Sequence, residues 1–543
     1  MTAAELFVRC LEAEGVEYIF GLPGEENMDL LDALSRSTIR FIPTRHEQGA
    51  AFMADVYGRL TGRAGVCLAT LGPGATNLAT GIGDANLDHA PLVAITGQAG
   101  LERVHKESHQ YVNIVEAFAP LTKWNTRVER ASVIPEVVHH AFKTAQAEKP
   151  GACHIELPED LAGERAEGAP LASRRTRRPS PDRPSLRAAA DLIDKAHHPI
   201  ILAGNGVIRG GASGELVAFA EKTAIPVANT FMAKGAVPAD HPLSLLSIGL
   251  QARDFVSCGF DAADLIVTVG YDQVEYAPYH WNPNGDKPIV HIDFTPAETD
   301  AMYQPEVEVV SDVREALELL RGEVTQAHDR GYPRRLREAI LSDLDRDAES
   351  PVMPMKPARV LRELRRALGR NDVVISDVGA HKLLVARLFA AYEPNTVLIS
   401  NGFASMGIAL PGAVSAALIE PDRRVVAVCG DGGFLMNVQE LETAVRLGVA
   451  FVVVVFRDEG YGLIRWKQER QFGAAFGIDF GNPDLVLLAE AFGAKGYRVE
   501  RADDFGPLLK EALDQRVPTV IDVPIDYRDG IVNPDQGKII CPT

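Results

Sequence analysis

Two short acidic segments contain the residue types that bind a cation and a phosphate group. Residues 430–433 read GDGG, and residues 457–460 read RDEG. A carboxylate beside glycines can ligate a metal ion, and the neighbouring backbone N–H groups can bind a phosphate, because glycine lets the backbone approach closely. The same residues also occur in ordinary turns. The choice between metal ligand, phosphate cradle and turn therefore depends on the elements that position the two segments.

Both segments directly follow apolar runs that predict buried strands. Val425–Cys429 precedes the first segment and Phe451–Phe456 precedes the second, with a helical pattern between them. Such a unit has parallel strands joined by a right-handed crossover, so both loops lie at the carboxyl edge of one sheet. Asp431 and Asp458 are therefore expected to share a crevice, where two carboxylates repel unless a cation lies between them. A magnesium or calcium ion bound together with a diphosphate accounts for both segments.

The start of the intervening helix is predicted from its capping residues. Gly430–Gly433 indicates a loop, and Asn437 followed by Glu440 resembles a capping box. We therefore expect the helix to begin at Asn437, and the glycine N–H groups before it to bind the phosphate together with the helix start.

The composition is that of a globular protein with several cores. The 543 residues are 46% hydrophobic and 24% charged, and the formal net charge is −19. This length suits two to four domains of roughly 100–200 residues. The acidic balance argues against a general nucleic-acid-binding protein, and no uncharged run approaches the ~18 residues of a membrane span. We expect a soluble cytoplasmic protein with no nucleic-acid or membrane partner.

The six cysteines are scattered along the chain without a C-x-x-C pair. That pattern fits neither a zinc ribbon nor a disulfide framework. We expect unpaired thiols in a reducing cytoplasm, acting mostly as small buried hydrophobic side chains.

Two linker-like stretches divide the chain into three predicted domains. Residues 164–185 are rich in Arg, Pro and Ser, and residues 345–357 contain three prolines. The predicted domains are residues 1–165, 186–345 and 357–543. Each alternates apolar strand-like runs with helical patterns, which predicts an α/β fold with three mostly parallel sheets flanked by helices.

The predicted strands are short apolar runs bounded by turn residues. They are Tyr18–Phe20, Ile39–Pro43, Val66–Leu71, Leu92–Thr96, Pro199–Ala203, Leu265–Val269, Ile289–Ile292, Val373–Ser376, Val397–Ser400, Val425–Cys429, Phe451–Phe456 and Thr519–Val523.

The acidic pair and several further motifs resemble those of thiamine-diphosphate-dependent enzymes. Segments similar to the pyrimidine-binding domain of that family are IFGLPG (19–24), RHEQGA (45–50), GPGATN (72–77) and DANLDHAPLVAITG (84–97). Segments similar to its diphosphate-binding domain are DVGAH (377–381), NGFASMGIALP (401–411) and residues 430–460. Within the family, the chain looks most like acetolactate synthases of the catabolic type that works without FAD.

The resemblance implies roles for individual residues. Glu47 matches the catalytic glutamate that hydrogen-bonds the aminopyrimidine ring, and Gln110, beside His109, matches a substrate-side residue. Met406 matches the bulky residue that holds the cofactor bent. The implied metal ligands are Asp431, Asp458 and the carbonyl of Gly460. The further cofactor-binding residues implied by the family are Gly379, His381, Gly402, Gly430, Gly432, Gly433 and Tyr461.

Some positions depart from the family pattern. Arg457 and Glu459 are unusual beside Asp458 and are expected to pair with each other, and Lys467 lies near a position that shapes the substrate pocket. Residues 270–283 lack the Arg-Phe-Asp-like segment of FAD-binding members, and Gly204–Gly211 lacks the dinucleotide spacing. We therefore expect thiamine diphosphate and Mg²⁺ as cofactors, and no FAD.

The resemblance implies decarboxylation of pyruvate and joining of the product to a second pyruvate, giving 2-acetolactate. The alternative within the family is a related 2-oxo-acid decarboxylase or a carboligase with another acceptor. A catalytically idle binding homologue is disfavoured by the retained Glu47, Asp431 and Asp458, and an oxidoreductase by the missing dinucleotide motif. The family arrangement also implies a homodimer or homotetramer with active sites at the subunit interface.

Overall fold

The computed structural model describes residues 1–173, 177–249, 253–527 and 539–542. Three six-stranded parallel sheets flanked by helices follow one another along this chain. The α/β fold class predicted from the sequence is confirmed. The strands of each sheet fall within one of the three predicted domains, whose boundaries stay a prediction.

The first sheet has the strand order β2-β1-β3-β4-β6-β5. Its strands are Tyr18–Gly21 (β1), Arg40–Pro43 (β2), Gly65–Ala69 (β3), Leu92–Gln98 (β4), Trp124–Arg127 (β5) and Ala152–Pro158 (β6). The helices of this domain are Ala3–Ala13 (α1), Met28–Leu34 (α2), Glu47–Thr61 (α3), Pro73–Leu87 (α4), Ile114–Phe118 (α5), Ile134–Gln146 (α6) and Glu159–Gly163 (α7).

The middle sheet has the strand order β12-β11-β10-β7-β8-β9. Its strands are Pro199–Ala203 (β7), Val227–Asn229 (β8), Ser244–Ser247 (β9), Leu265–Val269 (β10), Ile289–Asp293 (β11) and Val307–Val310 (β12). The helices are Arg183–Lys195 (α8), Asn205–Arg209 (α9), Ser213–Thr223 (α10), Phe255–Ala262 (α11), Val313–Glu323 (α12) and Gly331–Leu344 (α13).

The last sheet has the strand order β14-β13-β15-β16-β18-β17. Its strands are Val373–Ser376 (β13), Val397–Ile399 (β14), Val425–Gly430 (β15), Val452–Arg457 (β16), Lys495–Arg498 (β17) and Thr519–Pro524 (β18). The helices are Pro357–Ala367 (α14), Ala380–Leu388 (α15), Ala409–Ile419 (α16), Asp431–Met436 (α17), Glu440–Leu447 (α18), Gly462–Phe472 (α19), Leu485–Ala491 (α20) and Phe505–Leu513 (α21).

Every strand predicted from an apolar run is present, with ends that differ by a few residues at most. Most of the strands that the pattern missed, namely β5, β9, β12 and β17, lie at sheet edges, where a short or half-exposed strand needs no continuous apolar run. Two interior strands were also missed: β8 is only three residues long, and β6 carries His154 and Glu156. Nε2 of His154 is hydrogen-bonded to Thr96 of β4, and the carboxylate of Glu156 accepts from Gln98 of the same strand.

The capping-box prediction is wrong. α17 starts directly after β15, so the expected glycine loop is helical, and Asn437 is the C-cap of α17. No side-chain hydrogen bond caps α18. The amide of Asn437 instead donates to the carbonyl of Gly407, and the carboxylate of Glu440 accepts from the backbone N–H groups of Arg45 and His46. Contacts with distant segments therefore displaced the local cap.

The first and last domains share one buried core. Side chains of α3, including Phe52 and Val56, pack in the same cluster as Ala413 and Val414 of α16. The backbones approach so closely that a Cβ at Gly412 would lie 2.8 Å from the side chain of Val56. Helices in such close contact form one rigid unit.

Cys258 in α11 and Cys541 near the end of the chain form a disulfide bond. The expectation of unpaired thiols is wrong for these two residues, because the fold joins positions 283 residues apart that no local motif connects. The other four cysteines are buried and unpaired, as expected. Among the described residues, no helix combines the length and apolarity needed to cross a lipid bilayer.

The disulfide predicts the number of titratable thiols. Protein purified without reductant and then denatured should react with four equivalents of a thiol reagent, since four cysteines are unpaired. After reduction it should react with six. The Cys541→Ser variant should give the same count before and after reduction. Six thiols in the unreduced wild-type protein would contradict the bond.

Candidate active site

Asp431 and Asp458 lie together at the carboxyl edge of the last sheet. β15 and β16 are parallel neighbours, with Gly430 paired in register with Phe456. Each aspartate directly follows the end of its strand. The two side chains therefore face one crevice at the position where open α/β sheets bind ligands.

Hydrogen bonds from the neighbouring loop fix the carboxylate of Asp431. Its Oδ2 accepts from the backbone N–H of Glu459 at 2.8 Å and of Asp458 at 3.2 Å. The same oxygen accepts from the side-chain amide of Asn482 at 2.8 Å, and Oδ1 accepts from the N–H of Gly432 at 2.9 Å. The carboxylate is buried and held in one orientation by these donors.

The electrostatics of the crevice favour a cation. Burial raises the pKa of Asp431. Burial, followed by the charge of Asp431, raises the pKa of Asp458 to about 7. A divalent ion between the carboxylates offsets both effects, and magnesium is commonly held by one or two carboxylates together with phosphate oxygens. The carbonyl of Gly460 accepts one hydrogen bond, from Gly462, and keeps a second lone pair for a ligand.

A cavity of about 170 Å³ opens beside the two aspartates. Its walls come from the loops after β13, β15 and β16, from the segment before α16, and from Tyr527. The residues in its lining that the sequence singled out are Gly379, His381, Met406, Gly430, Asp431, Gly432, Gly433, Asp458, Gly460 and Tyr461.

The wall of this cavity fits a diphosphate and its metal ion. A Cβ at Gly433 would lie 2.4 Å from Oδ2 of Asp377, so only glycine lets the backbone approach there. Among the described residues, Nε2 of His381 in the cavity lining is buried without a hydrogen-bond partner, and so are Oδ2 of Asp377 and Oδ1 of Asn482, two residues outside the lining. Burial lowers the pKa of His381 to about 3, so its ring is neutral. Buried polar atoms without partners are rare and indicate a bound polar group.

Met406 forms part of the cavity wall, next to Gly432. Its Cε atom lies 3.5 Å from the position of a Cβ on Gly432. The backbone N–H of Gly407, the next residue, donates to Oδ1 of Asp377 at 2.7 Å. The same carboxylate therefore fixes the chain directly after Met406.

Glu47 does not line this cavity. It is the first residue of α3, is 8% exposed, and accepts a hydrogen bond from the side chain of Asn77 at 3.0 Å. The cavity is lined only by residues between Val378 and Tyr527, so the first domain of the same chain contributes nothing to it. Glu47 and Asp431 are thus not brought together within one chain.

Gln110 and Gly402 also lie outside the cavity lining. Gln110 is exposed in a loop of the first domain, and its carbonyl lies against Gly72. The N–H of Gly402 donates to Asp88, and a Cβ on this glycine would meet the carbonyl of Leu87 at 2.9 Å. In this chain, Gly402 therefore lies in the contact with the first domain.

Three residues of the site were not assigned from the sequence. Asn482 donates to Asp431, Asp377 fixes Gly407, and Tyr527 lines the cavity. Asp377 lies in a quoted motif, directly after β13 at the same sheet edge, and that position was the available signal. Asn482 and Tyr527 are brought in by distant loops, so no spacing in the sequence points to them.

Arg457 and Glu459, which depart from the family pattern, flank Asp458 at the end of β16. Arg457 donates to Glu459 at 3.0 Å, which confirms the expected pair, and also to Asp522 of β18 at 2.7 Å. Lys467 is exposed on α19. Arg457 therefore fixes the end of β16. Lys467, in contrast, lies on α19 and not at the end of a strand.

The middle domain contributes to a separate cavity of about 270 Å³ between the three domains. Asn205, Arg209 and Gly211 from the glycine-rich segment line it. In residues 270–283, the carboxylate of Asp272 bonds to His89 at 2.8 Å. The expectation that the chain binds no FAD stays a prediction.

Three family models match the chain in sequence order. The N-terminal thiamine pyrophosphate-binding domain of thiamine pyrophosphate enzymes matches residues 1–117, their central domain matches residues 186–320, and their C-terminal thiamine pyrophosphate-binding domain matches residues 377–523.

Similar proteins extend over nearly the whole chain. An acetolactate synthase of Bacillus subtilis (strain 168) is 37% identical over 97% of this chain and 94% of its own length. A catabolic acetolactate synthase of Raoultella terrigena is 36% identical over 97% of this chain and 95% of its own length. The putative thiamine pyrophosphate-containing protein YdaP of B. subtilis is 32% identical over 99% of this chain and 93% of its own length.

The contact between Asn482 and Asp431 predicts an effect on metal binding. Asn482→Ala removes a donor that orients the carboxylate, and loss of such a partner typically weakens a metal site by about 10–100-fold. Titration of the apoprotein with Mg²⁺ at fixed thiamine diphosphate should show this weakening. Asp484→Asn, in the same loop and exposed, is the matched control. Equal Mg²⁺ affinity of the Asn482→Ala and wild-type proteins would contradict the assigned contact.

Proposed function

Because the chain belongs to the thiamine-diphosphate-dependent enzymes and is an enzyme of the acetolactate synthase type, we propose that it decarboxylates one pyruvate and joins the remaining two-carbon unit to a second, giving 2-acetolactate and CO₂. The observation that carries this proposal is the end-to-end similarity to two acetolactate synthases, each covering 97% of the chain. The cavity beside Asp431 and Asp458 also supports the proposal, because carboxylates and glycines in its lining suit a metal ion and a diphosphate.

The residues of the cavity divide into those that hold the metal and those that hold the cofactor. Asp431, Asp458 and the carbonyl of Gly460 would ligate Mg²⁺, and the N–H groups at the start of α17 would bind the diphosphate beside it. When bound, thiamine diphosphate supplies the reactive thiazolium carbon and the electron sink for decarboxylation. Met406, fixed by the backbone around it, would hold the reacting end of the cofactor in place.

Glu47 is proposed to hold and share a proton with the aminopyrimidine ring. This residue is only 8% exposed, a setting suited to this role, and the side-chain amide of Asn77 orients its carboxyl group through a hydrogen bond of 3.0 Å. Because Glu47 does not line the cavity of its own chain, the ring must meet the glutamate of another copy. We therefore propose a homodimer or homotetramer in which each site combines the first domain of one subunit with the last domain of its partner.

The surface around the cavity supports such an assembly. Tyr461 and Ile464 in its lining are 39% and 46% exposed, and Met436 beside Gly407 is 42% exposed. Clusters of large exposed apolar side chains around a pocket mark a surface that another protein surface covers. Gln110, exposed on the first domain, would face the substrate from the partner side.

A second candidate is a carboligase or 2-oxo-acid decarboxylase with another acceptor. YdaP, at 32% identity over 99% of the chain, is known only as a thiamine pyrophosphate-containing protein by its description, so similarity alone does not single out the second substrate. Lys467 lies near a position that shapes the substrate pocket in the family, so the acceptor preference stays open.

A product assay separates the two candidates. Protein supplied with pyruvate, Mg²⁺ and thiamine diphosphate should form 2-acetolactate and one CO₂ for every two pyruvates. The measurement is NMR of the mixture, run with a panel of other 2-oxo acids and aldehydes as acceptors. Acetaldehyde as the main product from pyruvate, or a preference for an aldehyde acceptor, would replace the proposal with the second candidate.

Mixing two inactive variants tests the shared site. Glu47→Gln should bind the cofactor but lose about 10²–10⁴-fold in turnover, because it removes the proton-sharing carboxyl group. Asp431→Ala should lose metal-dependent cofactor retention. Co-expressed in equal amounts, the two should recover about a quarter of wild-type activity, since half of the random dimers contain one intact site. Full absence of recovery in verified mixed dimers would contradict a site shared between subunits.

A further inference from the structure

The segment that carries Met406 is held from the first domain by a buried cluster of charged residues. This segment, Ile399–Gly407, joins β14 to α16 and includes the cavity residue Met406. Its two ends are fixed differently. The part after Met406 is bound within the last domain, and the part before it is bound by the first domain.

The cluster is built around one guanidinium group on α3. Arg59 bonds to Asp55 on its own helix and to Asp84 and Asp88 of the neighbouring α4 and its C-cap, at 3.0 and 2.9 Å for the last two. The side chains of all three aspartates are fully buried, and the arginine side chain is 9% exposed. Buried charges are costly unless they are paired and their remaining lone pairs are satisfied.

The remaining lone pairs of two aspartates are satisfied by the segment itself. Asp88 accepts from the backbone N–H of Asn401 at 2.9 Å and from that of Gly402. Asp84 accepts from the hydroxyl of Ser400 at 2.6 Å and from the backbone N–H of Ser405 at 3.3 Å. The backbone before Met406 is thus held at several points by two carboxylates of another domain.

Arg59 and Ser400 make further hydrogen bonds that hold the segment. One guanidinium nitrogen of Arg59 donates to the carbonyl of Ile399 at 3.1 Å. The hydroxyl of Ser400 also accepts from the N–H of Ser405 at 3.1 Å, which closes the segment into a tight loop. Asp55 differs from the other two aspartates, because its carboxylate contacts Arg59 and no atom of the segment.

On the other side of Met406, the last domain fixes Gly407. Its N–H donates to Asp377 at 2.7 Å, and its carbonyl accepts from Asn437 at 2.9 Å. Met406 is therefore the residue between two sets of buried hydrogen bonds, one from each domain. The two sets restrain the backbone on both sides of Met406.

We propose that Asp84 and Asp88 are positioning residues, which set the place of Met406 in the active-site cavity from the first domain of the same chain. The proposal rests on the proposed function for the role of Met406 and goes beyond it in assigning these two carboxylates. The first domain then acts on two sites at once. It supplies Glu47 to the partner's cavity and fixes Met406 in its own.

The test compares Asp88→Asn with Asp55→Asn. Both variants remove one charge from the same buried cluster, but only Asp88 contacts the segment. In the apoprotein, amide hydrogen exchange over residues 399–407 should become faster in Asp88→Asn and not in Asp55→Asn. This measurement needs neither cofactor nor substrate, so its result does not depend on whether the proposed reaction is correct.

The cofactor-bound enzyme gives a second readout. In Asp88→Asn, exchange of the thiazolium C2 proton should slow by roughly tenfold or more, because a small displacement at the reacting centre has a large effect. The affinity for thiamine diphosphate should change little, because Asp431, Asp458 and α17 are untouched. Met406→Ala should likewise slow exchange of the C2 proton and change the affinity for thiamine diphosphate little.

Ser400→Ala is the second variant, because it keeps every buried charge and removes only the hydroxyl contacts. It should show the same pattern as Asp88→Asn in weaker form. If folded Asp88→Asn and Ser400→Ala proteins keep wild-type amide and C2 exchange, the proposal is wrong. Equal effects of Asp55→Asn and Asp88→Asn would also overturn it, since they would trace the effect to the charge balance of the cluster.

Discussion

The rest of the candidate site depends on two carboxylates, one buried and one half-buried, that share one crevice. Asp431 and Asp458 directly follow neighbouring parallel strands, and burial, followed by the charge of Asp431, raises the pKa of Asp458 to about 7. The surrounding donors hold Asp431 in place without neutralising the pair. Such an arrangement is unfavourable by itself and becomes favourable with a divalent cation and a phosphate group beside it.

Close contact between the first and last domains fixes the segments that flank the crevice. α3 and α16 share a core, and Glu440 of the last domain accepts from the N–H groups of Arg45 and His46, at the entrance to α3. The cluster around Arg59 adds a second buried contact at the other end of α3. Buried ion pairs contribute little net stability, but they define one geometry, because any other packing leaves a charge without a partner.

In the same geometry, Glu47 lies outside the cavity beside Asp431 of its own chain. α3 begins with Glu47, yet the helix packs its side against α16 of its own chain, so that the cavity beside Asp431 receives no residue of the first domain. Exposed apolar residues at the cavity, such as Tyr461 and Ile464, remain for another surface to cover. The proposed homo-oligomer rests on this position of Glu47 outside the cavity of its own chain.

The sequence by itself determined the α/β class, most of the interior strands and the placement of two aspartates at one sheet edge. Each follows from local facts: a continuous apolar run predicts a strand buried on both faces, and one crossover makes consecutive strands parallel. The resemblance added the residues of the cavity wall, including Met406 and His381, because their motifs are contiguous in the sequence.

The tertiary structure alone decided which distant groups complete the site. Asn482 reaches Asp431 from a separate loop, and Asp84 and Asp88 reach the segment before Met406 across a domain boundary. It also replaced the expected cap at Asn437 with a contact to Gly407 and joined cysteines that the sequence leaves far apart. Polar side chains can satisfy their hydrogen bonds with any nearby partner, so their spacing in the sequence does not identify it; only the packing of helices and sheets selects one.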